Sequence, residues 1–296
     1  MSGVTRQAFY KRDDEVLFRR LAAEEFVVQF ILGIREKDPL IGSDKLWRMY
    51  NKRFSNEYCV GRDAFRNILH ERGLNIRRRH RTTRTTDSRH NLPIYPNLVK
   101  NIIPTRPNHI WVSDITYIPI ADSTARLGHR FCFLTIIMDA YSKRIVGWDV
   151  GSTLETKFCL KALKKALRTL PEEFDETLIH HSDRGCQYAS AEYIKQLNKR
   201  NVIPSMTESG NPKDNSMAER INGIIKNELL HGQRFTCLQQ VIVAVSRAIA
   251  FYNRERPHSS INWYTPEEAH KMHGELKRHW FSWRETAIKK QKSSIE

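Results

Sequence analysis

Residues 110–150, IWVSDITYIPIADSTARLGHRFCFLTIIMDAYSKRIVGWDV, decide the fold. Three runs rich in β-branched and aromatic residues lie within them: Ile110 to Ile118, Phe131 to Asp139 and Arg144 to Val150. Turn residues separate the runs, at Asp122 to Gly128 and at Tyr141 to Lys143. Short apolar runs bounded in this way read as strands joined by hairpins. Downstream, Leu154 to Leu170 reads as a helix with Leu160, Leu163, Ala166 and Leu167 on one face, and Thr177 to His181 is strand-like again. Three strands, a helix and a fourth strand predict an α/β sheet of mixed direction, its fourth strand reached by a helical crossover. A helix over 189–200, a fifth strand over 202–206, a Gly-Asn-Pro loop and helices over 216–230 and 237–253 complete the region.

The chain upstream has a different character. Val16, Leu17, Leu21, Phe26 and Phe30 recur at helical intervals and predict a helix over 13–36. Two short helices follow, one with Leu46, Trp47 and Tyr50 on its apolar face, the other beginning near Arg62 with Phe65, Ile68 and Leu69 and ending at Gly73. Two short helices joined by a polar turn and followed by an arginine run suggest a helix-turn-helix, with Arg62, Arg66 and Arg72 on or near the reading helix; a small helical bundle is the alternative. The run itself is Arg77, Arg78, Arg79, Arg81 and Arg84. The predicted organisation is a helical segment over 1–36, a helix-turn-helix-like domain over 37–80, a basic linker over 81–108, a catalytic core over 109–270 and a basic tail over 271–296.

Charge narrows the function. The 296 residues carry 49 Lys/Arg against 33 Asp/Glu, net +16, and residues 1–96 are about twice as basic per residue as the rest. A surplus of this sign attracts polyanions, which points to nucleic acid. Five scattered cysteines, with no CxxC pair, describe neither a disulfide framework nor a zinc knuckle. The longest apolar stretch, Phe131 to Met138, is far short of a membrane span, and the amino terminus becomes charged before a signal segment can form, so a cytoplasmic protein is expected.

Three acids stand out by position. Asp114 lies within the first strand, Asp183 directly after the fourth and Glu219 in the first turns of the helix that follows the loop. If the first and fourth strands are parallel neighbours, Asp114 and Asp183 stand side by side. Carboxylates so close repel one another unless a cation holds them, and a hard cation suits oxygen ligands. The strings around them are WVSDITYIP, HHSDRGCQY and GNPKDNSMAERINGIIKNELL. These strings, with MDAYSKRIVGW and FYNRERPHSSINWYTPEEA, resemble the DDE catalytic core of retroviral integrases and, most closely, the transposases of the Insertion Sequence Three family. The resemblance runs from about residue 5 to 270.

That resemblance implies a ribonuclease H-like core preceded by a small all-α helix-turn-helix domain, and an enzyme that cuts and joins DNA strands at transposon ends. It implies that Asp114, Asp183 and Glu219 hold two Mg²⁺ or Mn²⁺ ions, Asp114 shared by both. Lys226, seven residues after Glu219 and on the same α-helical face, is expected near the scissile phosphate, and Arg62, Arg66, Arg77, Arg78 and Arg79 are expected on duplex DNA, both terminal inverted repeats and target. A homo-oligomer on DNA is implied, and so is a partner from an upstream reading frame, because no long heptad run precedes residue 40. Two other functions fit the same acids: a structure-directed nuclease of this fold, which nicks without joining, and a non-catalytic DNA-binding regulator. The remaining candidates read as structural. His180 and His181 are expected to pack, Asp139 to shape a hairpin, and Asp214 and Asn215 to start the catalytic helix. Thr265, Pro266 and Glu268 form a capping box, Arg254, Arg256 and His258 are divided between DNA contact and packing, and no structural zinc is expected.

Overall fold

The computed structural model describes residues 14–54, 59–76, 92–125, 128–208 and 215–293. The chain forms two compact units, one within Met1–His80 and one within Arg81–Glu296.

Among the described residues the first unit contains three helices: α1 (Asp14–Arg35), α2 (Ser43–Arg53) and α3 (Arg62–Glu71). Leu46 and Tyr50 of α2 and Phe65, Ile68 and Leu69 of α3 are buried, as their spacing predicts. The face of α1 is a correction. Val27, Ile31 and Ile34 are buried, whereas Leu21 and Phe26 are exposed; Phe26 and Phe30 lie edge-on to Tyr50 and Phe54 at the margin of the core. Residues 26–34, FVVQFILGI, are apolar nearly all round, so periodicity alone could not choose a stripe. The connection between α2 and α3 spans 54–61, longer than the three or four residues usual for a helix-turn-helix. Its far end is pinned by Asn51, whose Nδ2 donates to the Val60 carbonyl at 3.0 Å while Oδ1 accepts from Val60 N at 3.1 Å, and by Trp47 Nε1, which donates to the same carbonyl at 2.7 Å.

The second unit is built on a five-stranded sheet of order β3-β2-β1-β4-β5, with β1 (Ile110–Ala121), β2 (His129–Asp139), β3 (Ile145–Gly151), β4 (Leu178–Ser182) and β5 (Val202–Met206). β1, β2 and β3 pair antiparallel as a meander, and β4 and β5 add in parallel on the other side of β1. This mixed order is ribonuclease H-like. Helix α4 (Thr156–Leu167) makes the crossover from β3 to β4, and α5 (Cys186–Ala189) and α6 (Ala191–Asn198) connect β4 to β5. Trp111, Ile137, Val146, Leu160, Leu163 and Tyr193 belong to the apolar cluster between these helices and one face of the sheet. Gly147 lets α4 settle on β3. A Cβ there would lie 2.3 Å from the Ala162 carbonyl oxygen and 2.9 Å from Ala166 N, both backbone atoms that cannot swing aside. Gly147→Ala is therefore expected to destabilise the unit by about 1–3 kcal/mol or more through overpacking, read as a lower midpoint in urea at an unchanged m-value.

The helix predicted over 216–230 is two segments: α7 (Ser216–Gly223) and a π-helix (Ile224–Leu229). After it come α8 (Leu238–Arg254), a 3₁₀ turn (Ser259–Ile261), α9 (Pro266–Ala269) and α10 (Trp283–Ser293). Two stretches read as loose are laid against the unit. From Leu92 onward the linker lies along β5: Met206 N donates to the Pro96 carbonyl at 3.4 Å, Leu98 N to Ser205 Oγ at 3.0 Å, and Val99 is buried. In the tail, Asn262 N donates to the Lys277 carbonyl at 2.8 Å and His279 N to the Ser259 carbonyl at 3.0 Å. Among the described residues no helix is long and apolar enough to cross a membrane.

Candidate active site

Strand pairing places the first two acids. The parallel β1–β4 register ends at Val112↔His181; Asp114 lies two residues further along β1 and Asp183 just past the end of β4, close enough for the Asp183 charge to act on Asp114. Trp111 and Ile115 pack with the cluster under α4–α6, so the pleat turns Asp114 to the opposite face of the sheet. There α7 meets it: Asn222 Nδ2 donates to Asp114 Oδ2 at 2.8 Å, and Oδ1 of the same carboxylate accepts from Ile115 N at 2.9 Å. Asp183 Oδ1 accepts from Gly185 N at 3.0 Å. A Cβ on Gly185 would stand 3.1 Å from that oxygen and 3.0 Å from Gln187 Oε1, a tight fit in which those side chains would have to give.

Electrostatics marks the same place. Burial, the neighbouring Asp183 and, more weakly, Glu219 push the Asp114 carboxyl up to about 7 against the stabilising hydrogen bonds from Ile115 and Asn222. Glu219 lies in the first turn of α7, exposed, with its carboxyl raised by partial burial. The structure thus joins Asp114 and Asp183 closely and leaves Glu219 at the rim; among the described residues no group of three His, Cys, Asp or Glu side chains is drawn together tightly enough to hold an ion. The donor chemistry nevertheless fits a hard divalent cation: adjacent carboxylate oxygens whose mutual repulsion a cation relieves.

The other candidates fall out as follows. Lys226 sits in the π-helix with its ammonium 3.5 Å from the Tyr117 ring centroid. The α-helical spacing that aligned it with Glu219 does not hold there, because a π-turn takes more residues per revolution. Arg66 is engaged by Asp44 at 2.8 Å, Arg62 lies 3.5 Å from Asp63 with its side chain more than half exposed, and Arg72 is 3.9 Å from Glu24. Arg77, Arg78 and Arg79, like Asp214, lie outside the described residues. His180 is packed, as expected: it contacts Tyr188 and Tyr193, its Nε2 is 3.0 Å from the Tyr193 hydroxyl, and burial pulls it down to about 3. His181 Nδ1 is 3.0 Å from Ser205 Oγ. Asp139 shapes the β2–β3 hairpin, accepting from Ser142 N, Ser142 Oγ and Asn108 N at 2.7 Å each. The capping box at Thr265 and Glu268 is formed. Arg254 is 3.4 Å from Glu267, whereas Arg256 is fully buried against Glu228, and His258 packs on Tyr252. Asn215 departs from expectation. It occupies the N-cap position of α7, but its side chain donates instead to the Ser113 carbonyl at 2.9 Å and ties the helix start to β1.

Two family models for the integrase core domain match, one over residues 104–212 and one over 200–266. The insertion element IS600 uncharacterized 31 kDa protein of Shigella sonnei is 34% identical over 76% of this chain and 82% of its own. Transposase InsF for insertion sequence IS3A of Escherichia coli K12 is 30% identical over 68% of this chain and 67% of its own. The chain belongs to the insertion-sequence transposases. The transposase is of the DDE type, with an integrase-like core. Among solved structures, the catalytic core domain of HTLV-2 integrase in complex with magnesium aligns with 56% of the transposase and 97% of its own chain, at 22% identity and a TM-score of 0.43.

Asn222 is the site residue that sequence reasoning passed over. It lies three residues after Glu219 on a helix face shared with Ala218, Ile221 and Ile225, and a buried amide among apolar neighbours was the available signal.

Proposed function

We propose that this transposase recognises the terminal inverted repeats of its own element in double-stranded DNA and cuts and rejoins strands there, with Asp114, Asp183 and Glu219 as the catalytic acids. The observation that supports the reading is the nearness of Asp183, directly after β4, to Asp114 on the neighbouring parallel strand β1, which together with burial pushes the Asp114 carboxyl up to about 7. Asp114, Asp183 and Glu219 are the residues that would hold Mg²⁺ or Mn²⁺. When bound, such ions supply charge neutralisation at the phosphate and favour deprotonation of an attacking hydroxyl or water. The protein's own contribution is positioning: Asn222 and Ile115 N aim the Asp114 oxygens, and Gly185 N holds Asp183. Water first opens a phosphodiester to give a 3′ hydroxyl; that hydroxyl then attacks a second phosphodiester and displaces its leaving oxygen. Lys226 contacts phosphate after leaving the Tyr117 ring. Arg62, Arg66 and Arg77–Arg79 contact duplex DNA, two or more copies assemble on paired ends, and an upstream-frame partner assists them in the cytoplasm, on the nucleoid.

The test uses DNA bearing the two ends of the element, with Mg²⁺ or Mn²⁺, and compares the chain with Glu219→Gln on a denaturing gel, with the upstream-frame product added to both. Joined strands that disappear in the variant support the reading; nicks without joining identify a nuclease, and silence from both proteins a regulator. Arg62→Ala is expected to weaken duplex binding about equally on all sequences and to lower the slope of log affinity against log salt by about one. A slope equal to that of the unaltered chain would remove Arg62 from the interface.

A further inference from the structure

The segment around Lys277–Trp283 has a chemistry that the strand-cutting site does not use. Trp280, Phe281 and Trp283 are 49%, 61% and 81% exposed, while Trp111 is buried and Trp47, Trp148 and Trp263 are at least partly so. The Phe281 and Trp283 rings meet edge-on at 4.7 Å, and the Arg278 guanidinium lies 5.3 Å from the Trp280 ring centroid. Lone exposed aromatics need no explanation, but three within four residues mark a binding surface. The mount is firm. Beyond the two backbone bonds that tie Lys277 and His279 to the 3₁₀ region, His279 Nε2 is 2.9 Å from Asn262 Oδ1, and Ile288 of α10 is buried. Trp280 and Phe281 border a cleft of about 760 Å³ whose charged rim includes Lys277, Arg278 and Lys289. Two of those cations have acidic partners, Glu285 for Arg278 and Glu275 for Lys289. Residues 271–296 still hold seven Lys/Arg against three Asp/Glu.

Aromatic faces interleaved with cations match the two halves of a nucleotide, the base and the phosphate. Protein interfaces also concentrate tryptophan, phenylalanine and arginine but are depleted in lysine, so what favours a nucleotide is Lys277 and the basic surplus of residues 271–296. Bases inside a duplex offer no free face to stack on, so the complement is an unpaired strand. We propose that Trp280, Phe281 and Trp283 form a stacking platform for unpaired DNA bases, with Lys277 and Arg278 on the flanking phosphates. The choice of DNA rests on the function proposed above; the stacking itself does not.

The test measures fluorescence anisotropy of labelled single-stranded and duplex DNA of one sequence, with the full chain carrying Glu219→Gln throughout so that no DNA is consumed. In the W280A/W283A variant, single-strand affinity is expected to fall about tenfold or more, with duplex affinity within about twofold. The W280F/W283F variant, which keeps the ring faces, is expected to retain most of the single-strand affinity, and this separates stacking from a folding defect. Unchanged single-strand affinity in the alanine variant would overturn the proposal, as would equal losses on both DNAs. A change of oligomeric state without a change in DNA affinity would assign the face to a second copy and overturn it as well. None of these outcomes bears on strand joining by the unaltered acids, so the two readings fail separately.

Discussion

Asp114→Asn abolishes strand joining and, at the same time, makes the metal-free protein more stable at about pH 8. The activity loss is expected to be on the order of 10³-fold or more, because a ligand of the proposed ions is gone and no other carboxylate on β1 can replace it. The stability gain follows from repulsion. Folding raises the Asp114 carboxyl from 3.8 to about 7, through burial first and the neighbouring Asp183 second. Between those values the folded chain binds a proton that the unfolded chain has released, so the contribution of Asp114 to stability is full below 3.8 and is lost as pH rises through about 7. Asparagine carries no charge and escapes that loss, so the variant's advantage is nil near pH 4 and reaches a few kcal/mol by about pH 8, reduced by any weakening of the bonds from Ile115 and Asn222. Thermal melts of both proteins in chelator across this range check the sign. A variant that melts below the unaltered chain at pH 8 would show that the carboxylate is not repelled there. Added Mg²⁺ should raise the melting temperature of the unaltered chain alone.

How far this site could be read in advance depends on what each residue's partner is. The nearness of Asp114 and Asp183 follows largely from order: a meander and a helical crossover make β4 a parallel neighbour of β1, and each acid lies two residues beyond the pair Val112↔His181. The cores of α2, α3 and α4 were equally legible, since Leu46, Phe65, Leu163 and Leu167 repeat at the helical period against polar neighbours. Asn222 was hidden because its partner lies 108 residues away and a polar residue on an apolar stripe carries no period of its own. The strap over 92–108 was hidden for a similar reason: one of its bonds goes to the side chain of Ser205, so no second strand-like run announces it. In α10 the single buried anchor among the described side chains is Ile288, too little for an amphipathic signal. The π-helix was unreadable, because IIKNEL differs in no local preference from an α-helix; it carries a contact to another part of the chain, the pair of Glu228 with Arg256.

That contact supplies the second large expectation. Arg256, two residues beyond α8, is fully buried against Glu228, which belongs to the π-helix directly continuing α7. A guanidinium out of water demands a carboxylate close by, and a π-turn is one way for the chain to present Glu228 to it while Glu219 and Asn222 keep their place against β1. Glu228→Ala should therefore cost about 3–5 kcal/mol, since it removes a carboxylate that compensates the buried charge, and should lower strand joining as well, by releasing the turn that sets Lys226 relative to Glu219. Replacing both partners with apolar residues, Glu228→Leu with Arg256→Met, removes the charge along with its need for a partner. Stability should then return to within about 1–2 kcal/mol of the unaltered chain, a coupling that a double-mutant cycle measures directly. Joining should stay low in that double variant, because the turn that sets Lys226 relative to Glu219 no longer has the ion pair that holds it. Recovery of stability and joining together would mean that the pair only packs the helix, and a single variant as stable as the unaltered chain would mean that Arg256 finds its compensation elsewhere.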